Sequence, residues 1–370
     1  MQLSNEDNLR LNVLLAQDLK AVRIDESKLI VHALTGKGEV KVQLNPTMSD
    51  DKYIRLVKEL LSNKIMGSPG GYPVYIKRWT RMGQERREES LAQLLLLGEE
   101  EAVIAVVHAP QLTPEIARHA WWAYPSADNA RRLLEKREVA ESDLARELAE
   151  FLLEFLPFEV EHKDMIDSVR LCLAPRLLTD AEVADLWKRA RRKQSLYVGF
   201  LQGMPDDLPE QQPAHPQHES VSAALAGLDG NPFAAQLQRL LSPAGQMYLK
   251  TVGRVLDKAA SQDTVVQLFL ALADYHRDLP LCQNRPRSIE EAEARADRWL
   301  AESEDADLRA VIEALPEHAD KLRSMLVLAQ MGEPALNPIF GLTDAIGSVM
   351  RKKLKPLTDP LMAHVGILLA

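Results

Sequence analysis

The sequence predicts a mostly α protein. A small N-terminal α/β domain with a short antiparallel sheet comes first, then stacked antiparallel helices, then a second all-α region. Three observations carry this. Leucine supplies 58 of the 370 residues and Phe, Trp and Tyr together 19, and leucine-rich, aromatic-poor chains favour helix over strand. Apolar residues alternate with a period of two only before residue 80, and recur at helical spacing afterwards. Beyond residue 85, Pro110, Pro125, Pro157, Pro175 and Pro205 fall where helices should end.

Ser4 is positioned to cap a helix running to about Ala16, with Leu11, Leu14 and Leu15 on one face. Val22 and Ile24 then alternate with Arg23 and Asp25. Leu29, Val31 and Ala33 alternate with Lys28, Ile30 and His32, and Val40, Val42 and Leu44 with Lys41 and Gln43. Thr35-Gly36-Lys37-Gly38 separates the last two runs as a hairpin turn. A three-stranded meander from Ala21 to Leu44 follows, stopped by Pro46. A helix over Asp50–Asn63 places Ile54, Val57, Leu60 and Leu61 on one face, and the breaker loop Gly67–Pro73 leads to a short strand, Val74–Lys77.

From Glu85 to Gly203 helix follows helix. Thr113-Pro114 is an N-cap with proline at the first helical position. Ser142 is positioned to cap a helix whose Leu144, Leu148, Phe151, Leu152 and Phe155 form an apolar stripe. Thr179–Glu182 is a capping box. Short loops between such helices suit stacked antiparallel pairs. The pattern Ala109-Pro110, Leu112-Thr113, Trp121 is echoed by Ala174-Pro175, Leu178-Thr179, Trp187, with Thr and Trp each displaced by 66 positions, as in a helical repeat. Residues 204–230 are rich in Pro, Gln, Ser and Asp and read as a flexible, Pro-rich linker. Beyond it, Ser242-Pro243, Ser261 and Ser288–Glu291 start helices. The stripe Leu308, Val311, Ile312, Leu315, the segments His318–Gln330 and Thr343–Leu354, and a terminal helix past Asp359-Pro360 complete an all-α region. The expected organisation is thus a small α/β domain over 1–83, a helical array over 84–203, a linker over 204–230 and an all-α domain over 231–370.

Composition excludes several classes. At 46% hydrophobic and 27% charged the chain is neither disordered nor collagenous. Two cysteines exclude a disulfide scaffold and a four-cysteine zinc site. The net charge is −9; residues 1–203 hold 29 Lys/Arg against 31 Asp/Glu and the remainder 16 against 23, so neither part is the basic domain expected of a dedicated DNA binder. Met1 is followed by the polar stretch Gln2–Arg10, unlike a secretory signal. The most apolar runs, Leu91–Gly98, Ala102–Ala109 and Leu361–Ala370, are each ten residues or fewer, against the roughly 20 a membrane helix needs. The expectation is a cytoplasmic protein with no membrane partner and reduced thiols.

The stretch Gly67–Gln84, GSPGGYPVYIKRWTRMGQ, resembles the signature region of the DsrS proteins. So do Glu89–Pro110, Ala117–Leu134 with its Trp121-Trp122 pair, and Leu196–Pro209. The resemblance covers about residues 1–210. That family belongs to the gene cluster for dissimilatory sulfur metabolism in sulfur-oxidising bacteria. The resemblance implies a cytoplasmic accessory protein of the reverse-acting sulfite reductase pathway. It brings no catalytic residue, no metal and no cofactor.

Several residues remain as chemical candidates. The loop Gly67–Gly71 could present N–H groups to an anion, but Tyr72-Pro73 leads into a strand rather than the helix of a phosphate loop, which favours a structural turn. Lys77, Arg78, Arg81, Arg86 and Arg87 place five cations in eleven residues with Trp79 among them, a pattern that suits an anion or single-stranded nucleic acid; pairing with Glu85, Glu88 and Glu89 is the structural alternative. The runs Lys188–Lys193 and Arg351–Lys355 are explained equally by helix dipoles. His215 and His218 have ligand-like spacing but no third ligand nearby. His108 lies in an apolar run, and His119 follows on the next helix. Cys172 reads as a packing cysteine. Cys282, between Pro280 and Pro286 with Arg285, Arg287 and His276 close in sequence, is the candidate thiol, suited to accept a persulfide sulfur if those cations lower its pKa. No metal or cofactor motif is present. The leading expectation is a non-enzymatic accessory or regulatory interaction protein in cytoplasmic sulfur oxidation, with a protein partner from that machinery and no buried pocket uniting several titratable groups. The alternatives are a nucleic-acid-binding regulator and a sulfur-transfer protein using Cys282.

Overall fold

The computed structural model describes residues 2–67, 88–280 and 284–369. The fold class is the expected one: 66% helix, with 20 α-helices and one three-stranded antiparallel sheet among the described residues. The chain divides into two compact units, Met1–Phe155 and Leu156–Ala370.

In the first unit, α1 (Asn5–Leu15) starts where the Ser4 side chain accepts the Asp7 N–H. Strands β1 (Leu19–Asp25), β2 (Ile30–Thr35) and β3 (Gly38–Gln43) form the meander in the order β1-β2-β3. The turn closes as its sequence requires: Gly38 adopts φ 117°, and the Thr35 hydroxyl donates to the Gly38 carbonyl and accepts the Lys37 N–H. The register sets Arg23 opposite His32 and His32 opposite Lys41, with Val22, Ala33 and Val40 aligned one residue away. Period-two alternation therefore sends these rows to opposite faces. The apolar face, with Val22, Val31, Ala33 and Val42, packs with Leu11 and Leu14 of α1 and with Tyr53, Val57 and Leu61 of α2 (Asp50–Met66).

The described helices α3 (Glu88–Leu94), α4 (Glu100–Val107), α5 (Pro114–Ala123), α6 (Ala127–Leu134), α7 (Arg137–Ala140) and α8 (Leu144–Phe155) complete this unit. Thr113 caps α5 by accepting the Ile116 N–H, with Pro114 in the first turn. Ser142 does not cap α8; its hydroxyl donates to the Val139 carbonyl at 2.7 Å, because α7 ends there and offers a nearer acceptor. The expected strand Val74–Lys77 lies outside the described residues.

The second unit contains α9 (His162–Leu173), α10 (Asp180–Ala190), α11 (Gln194–Gly203), α12 (His218–Ala224), α13 (Pro232–Leu241), α14 (Pro243–Lys258), α15 (Gln262–Tyr275), α16 (Ile289–Glu302), α17 (Ala306–Ala314), α18 (Ala319–Gln330), α19 (Asn337–Phe340) and α20 (Gly347–Leu369). Thr179 and Glu182 complete their capping box, and Ser242, Ser261 and Ser288 cap α14, α15 and α16. The expected helix over Thr343–Leu354 starts at Gly347 instead and joins the terminal segment in one helix, α20, which runs through Pro356 and Pro360. Its buried stripe Met350, Leu354, Leu357, Leu361, Val365 and Leu368 packs on α14 and α18, and that packing offsets the hydrogen bonds the prolines remove.

Residues 204–230 differ from the expected tether. They contain α12, and Leu208, His215, Val221 and Leu225 are buried. Asp206 receives Arg239 Nε and Nη2 at 2.8 and 2.6 Å, Glu210 receives Arg254 at 2.7 and 2.8 Å, and the His215 N–H donates to the Leu241 carbonyl at 2.9 Å. The composition resembles a linker, yet its acids meet arginines distant in sequence. Nor does the division into compact units fall there. Helices α9 and α11 pack on α15, and α11 also on α14, so both sides of residues 204–230 share one core.

Candidate functional site

The residues singled out as candidate contacts, Lys77, Arg78, Trp79, Arg81, Arg86 and Arg87, and the candidate thiol Cys282 lie outside the described residues, as does the loop after Gly67. Arg285 and His276, close to Cys282 in sequence, lie among the described residues. Arg285 donates Nη1 to the carbonyls of Ala329 and Met331. His276 has no exposed surface; its Nδ1–H donates to the Leu272 carbonyl at 2.8 Å, and its pKa is pushed down to about 4, chiefly by burial. Cys172 is fully buried in α9. His215 accepts the Gln217 N–H through Nδ1 in a local turn, and no cluster of three metal-ligating side chains occurs among the described residues. His119 titrates below the ordinary histidine range because it is partly buried. Among the described residues no helix is long and apolar enough to cross a membrane.

One of the sequence runs does assemble into a site. Helix α10 carries Lys188 and Arg189 in its last turn, where cations oppose the negative end of the dipole. The chain turns through Arg191–Lys193 and re-enters helix at Gln194. Trp187 locks this corner by meeting Tyr197 and Phe200 edge-on at 4.6 and 4.9 Å between ring centroids. Between the corner and the 3-10 turn Leu156–Phe158 lies a groove of about 420 Å3. Leu156, Pro157 and Leu196 supply its apolar lining; Lys188, Arg189, Arg192 and Lys193 supply its charge. Of these four cations only Arg189 is in an ion pair among the described residues, with Asp185 at 2.7 Å. His162, whose Nδ1 lies 3.3 Å from the Ser195 hydroxyl, is held below the ordinary histidine range by burial first and by Lys193 second, with Asp263 and Glu161 opposing. In a chain of net charge −9 this is a local excess of uncompensated positive charge over an apolar floor.

No protein family, no curated protein and no solved structure matches this chain. The ranking of its sites therefore rests on physical contrast within the molecule.

A second recess, of about 400 Å3, lies against the polar face of the sheet. There Glu39 meets His32 Nδ1 at 2.7 Å and Arg23 at 3.5 Å, and Arg23 stacks on Trp122 at 4.7 Å. The His32 hydrogen bond, with Arg23 and Lys41 behind it, holds Glu39 below the usual carboxylate range. Arg23, Lys28 and Lys41 are balanced by Asp25, Glu99 and Glu100 in the same lining, so this recess is internally neutralised. A third group, around Arg239, contains the most strongly shifted side chains. Arg239 lies 3.7 Å over the Tyr275 ring, which stacks on Tyr248 at 3.8 Å. Burial raises both phenols well above their ordinary range. Tyr248 and His276 have no exposed surface, so these shifts report interior packing and offer no substrate an approach. Sequence reading missed this group because Asp206, Arg239 and Tyr275 are far apart in the chain. It registered the Lys188–Lys193 run, but only the facing turn Leu156–Phe158 turns that run into a groove.

Proposed function

We propose that this protein is a non-enzymatic accessory or regulatory protein that acts by binding a protein partner in cytoplasmic dissimilatory sulfur oxidation. The observation that carries the binding part is the groove at the α10–α11 corner, with three cations lacking carboxylate partners among the described residues and exposed Pro157 between them and the buried Leu156 and Leu196. Tyr248, Tyr275 and His276, the most strongly shifted groups among the described residues, are buried and open to no substrate. The sulfur context rests on the resemblance of Gly67–Gln84, Glu89–Pro110, Ala117–Leu134 and Leu196–Pro209 to the DsrS proteins. The test is affinity capture from an extract of sulfur-oxidising cells, analysed for protein and for RNA. Enrichment of a sulfite-reductase-pathway component without RNA is the expected result. RNA as the dominant captured species, or no specific capture, overturns the reading.

A further inference from the structure

We infer that the occupant of the groove is an acidic, amphipathic segment of the partner protein, its carboxylates on the cation rim and an apolar side chain on the floor. The inference rests on the binding function proposed above and names the chemistry of the partner at that site. Charge complementarity is the first argument. Lys188, Arg192 and Lys193 face the groove with no ion pair among the described residues, and exposed Arg191 extends the run. An anionic ligand gains attraction there without first breaking an internal pair.

The floor decides the class of anion. Leu156 and Leu196 are buried beneath the groove; exposed Pro157 and the alkyl stems of Lys188 and Arg192 give inorganic phosphate nothing to bury against, whereas an aliphatic or aromatic side chain covers them. Two residues that follow the floor in sequence, Phe158 and Val160, are 73% and 79% exposed. None of the residues lining the groove is aromatic; the exposed ring of Phe158 lies on the adjoining turn, and an oligothymidylate probe tests whether it stacks a base. The walls are the ends of two helices locked by Trp187, so a segment that docks here meets a site already formed. Recognition of an acidic motif by clustered cations, with an apolar anchor, fits every one of these features.

The experiment uses the full-length protein and fluorescence anisotropy. The probes are a short dye-labelled peptide alternating Asp or Glu with Leu, the same peptide with Ser for Leu, and a short oligothymidylate. The Leu peptide should bind about tenfold more tightly than the Ser peptide, the equivalent of roughly one buried aliphatic side chain. Its affinity should fall as salt rises. The double variant Lys188→Glu, Arg192→Glu should lose binding by about tenfold or more, while Arg277→Glu, an exposed cation elsewhere, should leave it unchanged. Lys188 and Arg192 are exposed, so folding should be preserved; Lys188→Ala, Arg192→Ala provides a milder pair with a smaller loss in the same direction. Tighter binding of the oligothymidylate, equal binding of the two peptides, or indifference to the groove variants each overturns the inference. If affinity capture brings down the same partner with wild type and groove variant alike, the assignment of this site fails while the accessory function stands.

Discussion

Asp7 has no exposed surface, yet it carries a carboxylate. The Tyr53 hydroxyl donates to Asp7 Oδ2 at 2.5 Å and the Asn45 N–H donates to the same oxygen at 2.8 Å. Tyr53 thereby ties α2 to the start of α1. Removing one hydrogen bond to a buried carboxyl group costs on the order of 2 kcal/mol, so Tyr53→Phe should lower the unfolding free energy by that amount, read as a lower urea midpoint at unchanged slope. His276 sets a pH dependence of known sign. Burial lowers its pKa from 6.5 to about 4, so the unfolded chain takes up a proton that the folded chain refuses. The neutral ring's contribution is complete above pH 6.5 and is lost progressively as pH falls toward 4. By linkage this is on the order of 3 kcal/mol. His276→Gln should flatten the fall in stability between these limits; an unchanged acid limb of the stability profile would contradict it. Cys172, fully buried, should react with a maleimide at neutral pH only after denaturation, as mass spectrometry of the labelled peptide would register.

At the scale of elements, helices α9 and α11 approach closely enough to need a glycine. A Cβ on Gly199 would lie 2.6 Å from Val169 Cβ and 3.0 Å from the Ile166 carbonyl oxygen. Gly199→Ala should therefore destabilise the protein by about 1–3 kcal/mol, read as a lower thermal midpoint, although the same change in an exposed helix stabilises. This requirement left no trace in the sequence, where Gly199 sits inside an apolar helical run. Other features were legible because their physics is local. Alternation with a turn gave the meander, and Thr113, Thr179, Ser242, Ser261 and Ser288 cap the helices they precede. The misread elements depend on distant partners. Residues 204–230 hold their place through Arg239 and Arg254, and α20 continues through two prolines because its apolar stripe is buried. Composition encodes neither. The candidate site was legible to the same degree: its cations as a run, its floor not at all.

At the scale of the molecule, the shared packing of α9, α11, α14 and α15 makes Leu156–Ala370 one compact unit. A fragment over 156–370 should unfold in one cooperative transition, whereas a fragment over 231–370, stripped of α9 and α11, should not. Circular dichroism melting of the two distinguishes this from a linker boundary at 204–230, which would let the shorter fragment fold. The central claim is that the uncompensated cations at the α10–α11 corner hold the partner. The most direct measurement compares capture of a sulfite-reductase-pathway component by wild type and by the variant Lys188→Glu, Arg192→Glu, with thermal midpoints matched. Loss of capture by about tenfold or more at unchanged stability is the expected result; equal capture by the two proteins would contradict the account.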